Sequence, residues 1–190
     1  NIFEPLDMEH TSIGMHMEDN SWVQNQRGKL KCYGRYAQEE YNADYGVCHS
    51  WVQLYPAGAA IGYADGIIFI FSNTGELIQT FEPGGSTYPI ILGTALSPSG
   101  NQLACVSGID QQRFVLTQQR NGVNKVVFHT YLEKDQREPV LVQFSKDESK
   151  VFYASGTGIG IVDCSLLETK EFPLKGAILA IEECNENNLI

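Results

Sequence analysis

Residues Leu96–Gly108 read LSPSGNQLACVSG: an apolar run, a turn-prone SPSG, and a second apolar run. Pro98 holds its own φ near a turn value and has no amide hydrogen to leave unpaired, while Gly100 tolerates a left-handed backbone. SPSG therefore reverses the chain between Thr94–Leu96 and Gln102–Val106. The phrase returns in PVLVQFSKDESKVFYASG, where SKDES at Ser145–Ser149 replaces SPSG and VFYASG replaces LACVSG. A third opening, AILAIEECNENNLI, carries its polar turn at Asn185–Asn188. Ser97 and Ser145 stand 48 residues apart, and the Glu183–Cys184 step follows after nearly 40 more. A period of this size marks a repeated supersecondary unit.

Each unit holds further short apolar runs parted by Gly, Asn, Asp and Ser. AAIGYADG leads into IIFIFSNTGELIQTF, with strands expected at Ile67–Phe71 and Glu76–Phe81 on either side of SNTG. RFVLTQQRNGVNKVVFHTY folds back across Gln119–Gly122, where Asn121–Gly122 is a strong hairpin signal. GIGIVDCSLLETKEFPL turns at Cys164–Leu167. These runs are too short, and too rich in β-branched and aromatic residues, to favour helices. A small antiparallel sheet cannot bury both faces alone, so neighbouring sheets must stack and share a core.

The segments GYADGIIFIFSNTGELIQTF, TALSPSGNQLACVSG and VQFSKDESKVFYASGTGIGIVDC resemble blades of the WD40-like or quinoprotein-like β-propeller superfamily, over Gly58–Ile190. SPSGNQLA matches the turn between the first two strands of such a blade. No blade ends in Trp-Asp, none opens with Gly-His, and the quinone or metal ligands of enzymatic members are not evident. The resemblance implies an all-β fold of β-propeller-like stacked four-stranded antiparallel sheets. Residues 1–50 are expected to be an atypical region or partial blade, and residues 51–190 the repeat domain with its final blade truncated. Two full units and two partial ones fall short of the roughly four blades a closed ring needs, so an incomplete ring is expected. The favoured explanation is a piece of a longer protein; a second copy completing the sheets, or an open array, are the alternatives.

Asp and Glu number 23 against 13 Lys and Arg, a formal charge of −10. Such a surface repels phosphate backbones unless a basic patch overrides it, and Arg27, Lys29 and Lys31 form only a small one. A nucleic-acid reader is disfavoured. No apolar run approaches the roughly 20 residues of a membrane-spanning helix, and no amino-terminal targeting pattern is present. A cytoplasmic location is slightly favoured and export left open. The five cysteines, Cys32, Cys48, Cys105, Cys164 and Cys184, include no CxxC pair. Most are expected to be inert thiols, with a Cys32–Cys48 disulfide as the alternative.

Residues 21–36, SWVQNQRGKLKCYGRY, read as two short strands around Gln26–Gly28, and YAQEEYNADYG as a short helix or a loop. Tyr33, Tyr36, Tyr41 and Tyr45, with Glu39, Glu40 and Asp44, form a candidate interaction surface, because tyrosine packs well and keeps a polar tip. The competing reading has the tyrosines covering a sheet edge. His10 and His16 lie near Met8, Met15 and Met17, donors that suit a soft metal, but without ligand spacing; a flexible or partly packed terminus is the simpler reading. His129 reads as a strand-edge side chain, and Asp65 and Asp163 as turn caps. Gly156, Gly158 and Gly160 match no phosphate loop and point to close sheet packing.

No catalytic, cofactor-binding or metal residue is assigned, and no cofactor is expected. The reading is a non-catalytic protein or peptide interaction module whose loops at Glu82–Tyr88, Asp110–Arg113 and Glu133–Glu138 meet the partner. A propeller enzyme or small-ligand or metal-binding domain with a polar central site is one alternative; a self-assembling structural module is another.

Overall fold

The computed structural model describes residues 11–15, 22–26, 29–33, 39–44, 54–55, 57–72, 76–84, 90–134, 136, 139–176, 178, 180–184 and 188–189, with the strands in 11–55 and 183–189 described by their backbone. The turn signals parse the chain into antiparallel meanders whose spatial order follows chain order. The first sheet comprises β1 (Thr11–Met15), β2 (Trp22–Gln26), β3 (Lys29–Tyr33) and β4 (Glu39–Asp44). The second comprises β5 (Leu54–Tyr55), β6 (Gly58–Gly62), β7 (Ile68–Phe71) and β8 (Leu77–Phe81). The third comprises β9 (Ile91–Leu96), β10 (Gln102–Ser107), β11 (Arg113–Arg120) and β12 (Val123–Tyr131). The fourth comprises β13 (Val142–Phe144), β14 (Lys150–Ala154), β15 (Gly158–Asp163) and β16 (Glu168–Pro173). A hairpin of β17 (Glu183–Cys184) and β18 (Asn188–Leu189) follows. Among the described residues these sheets do not close into a ring.

The second, third and fourth sheets stand side by side with their early strands together: β9 lies against both β6 and β13. Burial falls outward from that line. All of β9 is buried and nearly all of β10, whereas most of β12 and β16 is open to water. A strand covered on both faces reads as a continuous apolar run, which is why LACV shows no alternation. Its alternation appears in what it touches. Leu103, Cys105 and Val115 join Ala60, Ile68 and Ile70 of the second sheet. Ala104, Val106, Phe114 and Leu116 join Val140, Val142, Phe144, Val151 and Tyr153 on the other side. Full burial of each large apolar side chain contributes about 1.5–3 kcal/mol.

A β-bulge inverts this two-sided pattern within β9. Val106 pairs with Gly93 and Ser107 with Ile91, so Leu92 is the extra residue. Ile91 consequently packs toward the second sheet and Leu92 toward the fourth. Polar stitches follow the same boundaries. Thr94 Oγ1 donates to the Ala60 carbonyl at 2.9 Å, and Asn124 Nδ2 to Gln79 Oε1 at 3.1 Å.

The two matching turns close in the same way. Ser97 Oγ accepts from the Gln102 amide at 3.1 Å, and Ser145 Oγ from the Lys150 amide at 2.9 Å. Position four of the turn is Gly100 at φ 77° in one and Glu148 at φ 60° in the other. The left-handed backbone costs a glutamate roughly 1 kcal/mol. Its carboxylate is thereby aimed at the preceding turn, accepting from the Ser99 amide and, at 2.7 Å, from Ser99 Oγ.

Asp147 organises the second turn, accepting from Ser145 Oγ at 2.6 Å, the Ser149 amide at 3.0 Å and Ser149 Oγ at 2.8 Å. Those donors hold its carboxyl down at about 2. A carboxyl depressed in the folded state stabilises the fold above its ordinary value near 3.8, and that contribution drains away as pH falls toward 2. Asp147 is exposed, so solvent screens the effect. Chemical denaturation of Asp147→Asn beside the parent is expected to show a stability gap at pH 5 that closes by about pH 2; a gap independent of pH refutes this account.

One local expectation is corrected. The YAQEEYNADYG stretch contains a strand, not a helix or an unstructured loop: Glu39–Asp44 pairs antiparallel with β3. The segment has no 3.6-residue apolar stripe to stabilise a helix, and pairing with β3 satisfies its backbone instead. The terminal stretch around Met15 likewise contributes β1, paired with β2.

Candidate functional site

The loops leaving β6, β8, β10, β12 and β14 emerge at one end of the sheets, and a buried glutamine ties the β10–β11 and β12–β13 loops together. Gln112 is 1% exposed. Its Nε2 donates to the Gly108 carbonyl at 3.2 Å and the Gln136 carbonyl at 2.6 Å, and its Oε1 accepts from the Gln136 amide at 2.7 Å. Gln136 Nε2 then donates to the Ala154 carbonyl at 2.9 Å, reaching the fourth sheet. In the other direction the Arg113 guanidinium donates to the Pro83 carbonyl, and the Ile91 amide to the Tyr63 carbonyl at 3.1 Å. A buried side-chain amide with its donor and acceptor both engaged fixes loop geometry, because any displacement strands a polar group away from water.

Outside this network the face presents Ile109, Asp110, Gln111, Glu133 and Lys134, all exposed. The sequence-named segment Asp110–Arg113 therefore meets Glu133–Glu138 where Gln112 joins Gln136, residues 135, 137 and 138 lying outside the described residues. Of Glu82–Tyr88, Pro83 meets Arg113, and residues 85–88 lie outside the described residues. No sequence pattern marked Gln112 as the fastener, since nothing local distinguishes it from the exposed Gln111.

The residues weighed for chemistry occupy structural positions. Asp65 Oδ1 accepts from the Ile67 amide at 3.1 Å, and Asp163 Oδ1 from the Ser165 and Leu166 amides at 2.9 Å each. Both cap turns, and the Leu166 and Ser165 donors hold the Asp163 carboxyl below its ordinary range. Cys105 and Cys164 are free thiols. Burial pushes Cys105 up to about 12 and Cys164 up to about 11, so neither is poised as a thiolate nucleophile. His129 is exposed on β12, edge-on to Tyr131 at 5.9 Å between ring centres. Gly160 lies under the Tyr153 ring, in line with close packing. Among the described residues no group of three or more His, Cys, Asp or Glu side chains is arranged to hold a metal ion, and no helix is long and apolar enough to cross a membrane.

Of the tyrosine and carboxylate set, Tyr33 lies on β3 and Glu39, Glu40, Tyr41 and Asp44 on the edge strand β4 of the first sheet. Register places Tyr33 opposite Glu39, Tyr41 opposite Cys32 and Asp44 opposite Lys29, with Glu40 as the extra residue of a bulge. Tyr36, Tyr45, Cys48, His10 and His16 lie outside the described residues.

An uncharacterized protein of Treponema pallidum (strain Nichols) is 38% identical over 125 residues, covering 66% of this chain and 33% of that protein. The chain thus spans a third of the length of that curated relative. Among solved structures, the Myceliophteria thermophila Cps50 (Swd1) beta-propeller domain superposes with a TM-score of 0.66 at 10% identity, covering 93% of this chain and 61% of that one. At that identity the likeness is one of fold. A family model described as beta-propeller protein matches residues 21–190. With its chain-ordered four-stranded meanders stacked through shared apolar faces, this chain belongs to the beta-propeller protein family.

Proposed function

We propose that this propeller scaffold is a non-catalytic protein or peptide interaction module, and that its partner meets the end where the β10–β11 and β12–β13 loops converge. The observation that carries this is the Gln112–Gln136 network, which holds loops of successive sheets in one arrangement before any partner arrives. Preorganised loops lose little conformational entropy on binding, which favours recognition by a rigid frame. Ile109 supplies an apolar anchor within a polar rim of Asp110, Gln111, Glu133 and Lys134. We further propose that residues 51–190 form the repeat domain, and that Tyr33, Tyr36, Tyr41 and Tyr45 with Glu39, Glu40 and Asp44 add a contact surface at its amino-terminal side.

The test is to select peptides against the whole chain by display and measure their affinity for three variants. Ile109→Asp removes the anchor, Gln112→Leu unties the loops, and Leu166→Asp alters the opposite end, where Leu166 is 67% exposed. Loss of about tenfold or more in affinity is expected for the first two and no change for the third. Gln112→Leu leaves buried loop groups unpaired at a cost of about 1–3 kcal/mol, so its folding is followed in parallel. Peptides indifferent to Ile109→Asp would place recognition elsewhere and overturn the proposal.

A further inference from the structure

The outer strand β12 differs from the other edges of these sheets. It is nine residues long, and among the described residues β11 is its one partner in the sheet. Its counterpart β8 has five residues, and β16 carries Glu168, Lys170, Glu171 and Pro173, a mixture of charge and proline that discourages strand addition. β12 has no proline and exposes Val123 (52%), Val126 (47%) and Tyr131 (47%).

The charge around it is equally distinct. From Gln111 to Leu132 there is no Asp or Glu, while Arg113, Arg120 and Lys125 all fall in that span, in a chain of net charge −10. Arg113 is engaged with the Pro83 carbonyl, but Arg120 and Lys125 are exposed near the hairpin tip. The strand is also held in place. Asn124 reaches Gln79 of β8, and the bulge at Val127 sets Val126 and Tyr131 on the side of β8, with Val123 and Lys125 on the other.

We infer that the outer edge of β12 is a second binding surface, taking an extended acidic peptide of alternating acidic and apolar residues as an added antiparallel or parallel strand. Main-chain hydrogen bonds to the edge give such a strand its affinity, and side chains at period two give it specificity. Its apolar positions would cover Val126 and Tyr131 while its carboxylates face Lys125 and Arg120. The same charges select against a second copy of this chain, because edge-to-edge pairing would set Lys125 and Arg120 near their own counterparts.

The experiment titrates the whole chain against two fluorescent peptides of strand length, one alternating Val and Glu and one alternating Val and Lys. It is repeated with an Arg120→Glu/Lys125→Glu double variant and with Ile109→Asp. The Glu peptide is expected to bind the parent, to lose about tenfold or more on the double variant, and to ignore Ile109→Asp. The Lys peptide is expected to bind the double variant better than the parent, and amide exchange in residues 123–131 to slow on Glu-peptide binding. Three results overturn the inference: no Glu-peptide binding at millimolar concentration, binding unchanged by the double charge reversal, or sedimentation showing that the parent self-associates through β12 while the double variant does not. Failure here, while display-selected peptides still bind the parent and lose affinity on Ile109→Asp, leaves the proposal for the loop face standing.

Discussion

Gly160→Ala is expected to cost about 3 kcal/mol or more, lowering the thermal midpoint by roughly 6–10 °C. Gly160 sits opposite Tyr153 in the β14–β15 pair, and the atoms nearest to any added Cβ all belong to the Tyr153 ring. That ring has nowhere to go. It is wholly buried and stacks on Phe114 of the neighbouring sheet, with centroids 4.5 Å apart and planes 22° from parallel. Its hydroxyl lies 3.3 Å from both Thr169 Oγ1 and Glu171 Oε1. Burial pushes the phenol up to about 12, so it remains neutral throughout the ordinary pH range. A methyl at Gly160 must therefore separate the third and fourth sheets or eject the tyrosine. Tyr153→Ala alone should cost about 3–5 kcal/mol through the cavity it leaves. In that background Gly160→Ala should cost almost nothing, because the obstacle is gone. Calorimetry or denaturant unfolding of the four proteins closes the cycle, and additive losses would show that the ring is not what Gly160 accommodates.

Gly93→Val is the second large effect, expected at about 3 kcal/mol or more. Gly93 lies in β9 beside the bulge, where the Val140 amide donates to the Leu92 carbonyl at 2.9 Å. A Cβ there would press on the Val140 carbonyl oxygen and stand 2.9 Å from Val142 Cγ2. The carbonyl is backbone and cannot rotate aside, so the fourth sheet must move away from the third. Hydrogen exchange is the discriminating measurement. Amides of β13–β16 should lose protection far more than those of β6 and β7, since the second sheet packs on the opposite face of the third. Equal loss across all three sheets would mean that Gly93 supports the fold generally and not this boundary.

The candidate site was less legible in sequence than the fold, and particular residues show why. The Asp110–Arg113 and Glu133–Glu138 loops were recognisable as loops, but their union depends on Gln112 meeting Gln136, 24 positions later. Nothing in a run such as DQQR tells which glutamine turns inward. The EEYNAD segment reads in sequence as helix or loop because its strand state is supplied by β3, several residues upstream, while its own composition favours neither.

The turn chemistry of SPSG, SKDES and Asn121–Gly122, repeated at blade spacing, was sufficient by itself to determine short antiparallel strands in chain order, because a reversal depends on φ preferences and hydrogen bonds within a few residues. Tertiary structure alone decided the rest. Which face of β9 each residue takes, why Gly93 and Gly160 must lack a side chain, and why Glu148 accepts a left-handed backbone are all set by the neighbouring sheet. Those contacts join residues tens of positions apart, and close packing makes them sensitive to a single methyl group that no local pattern records.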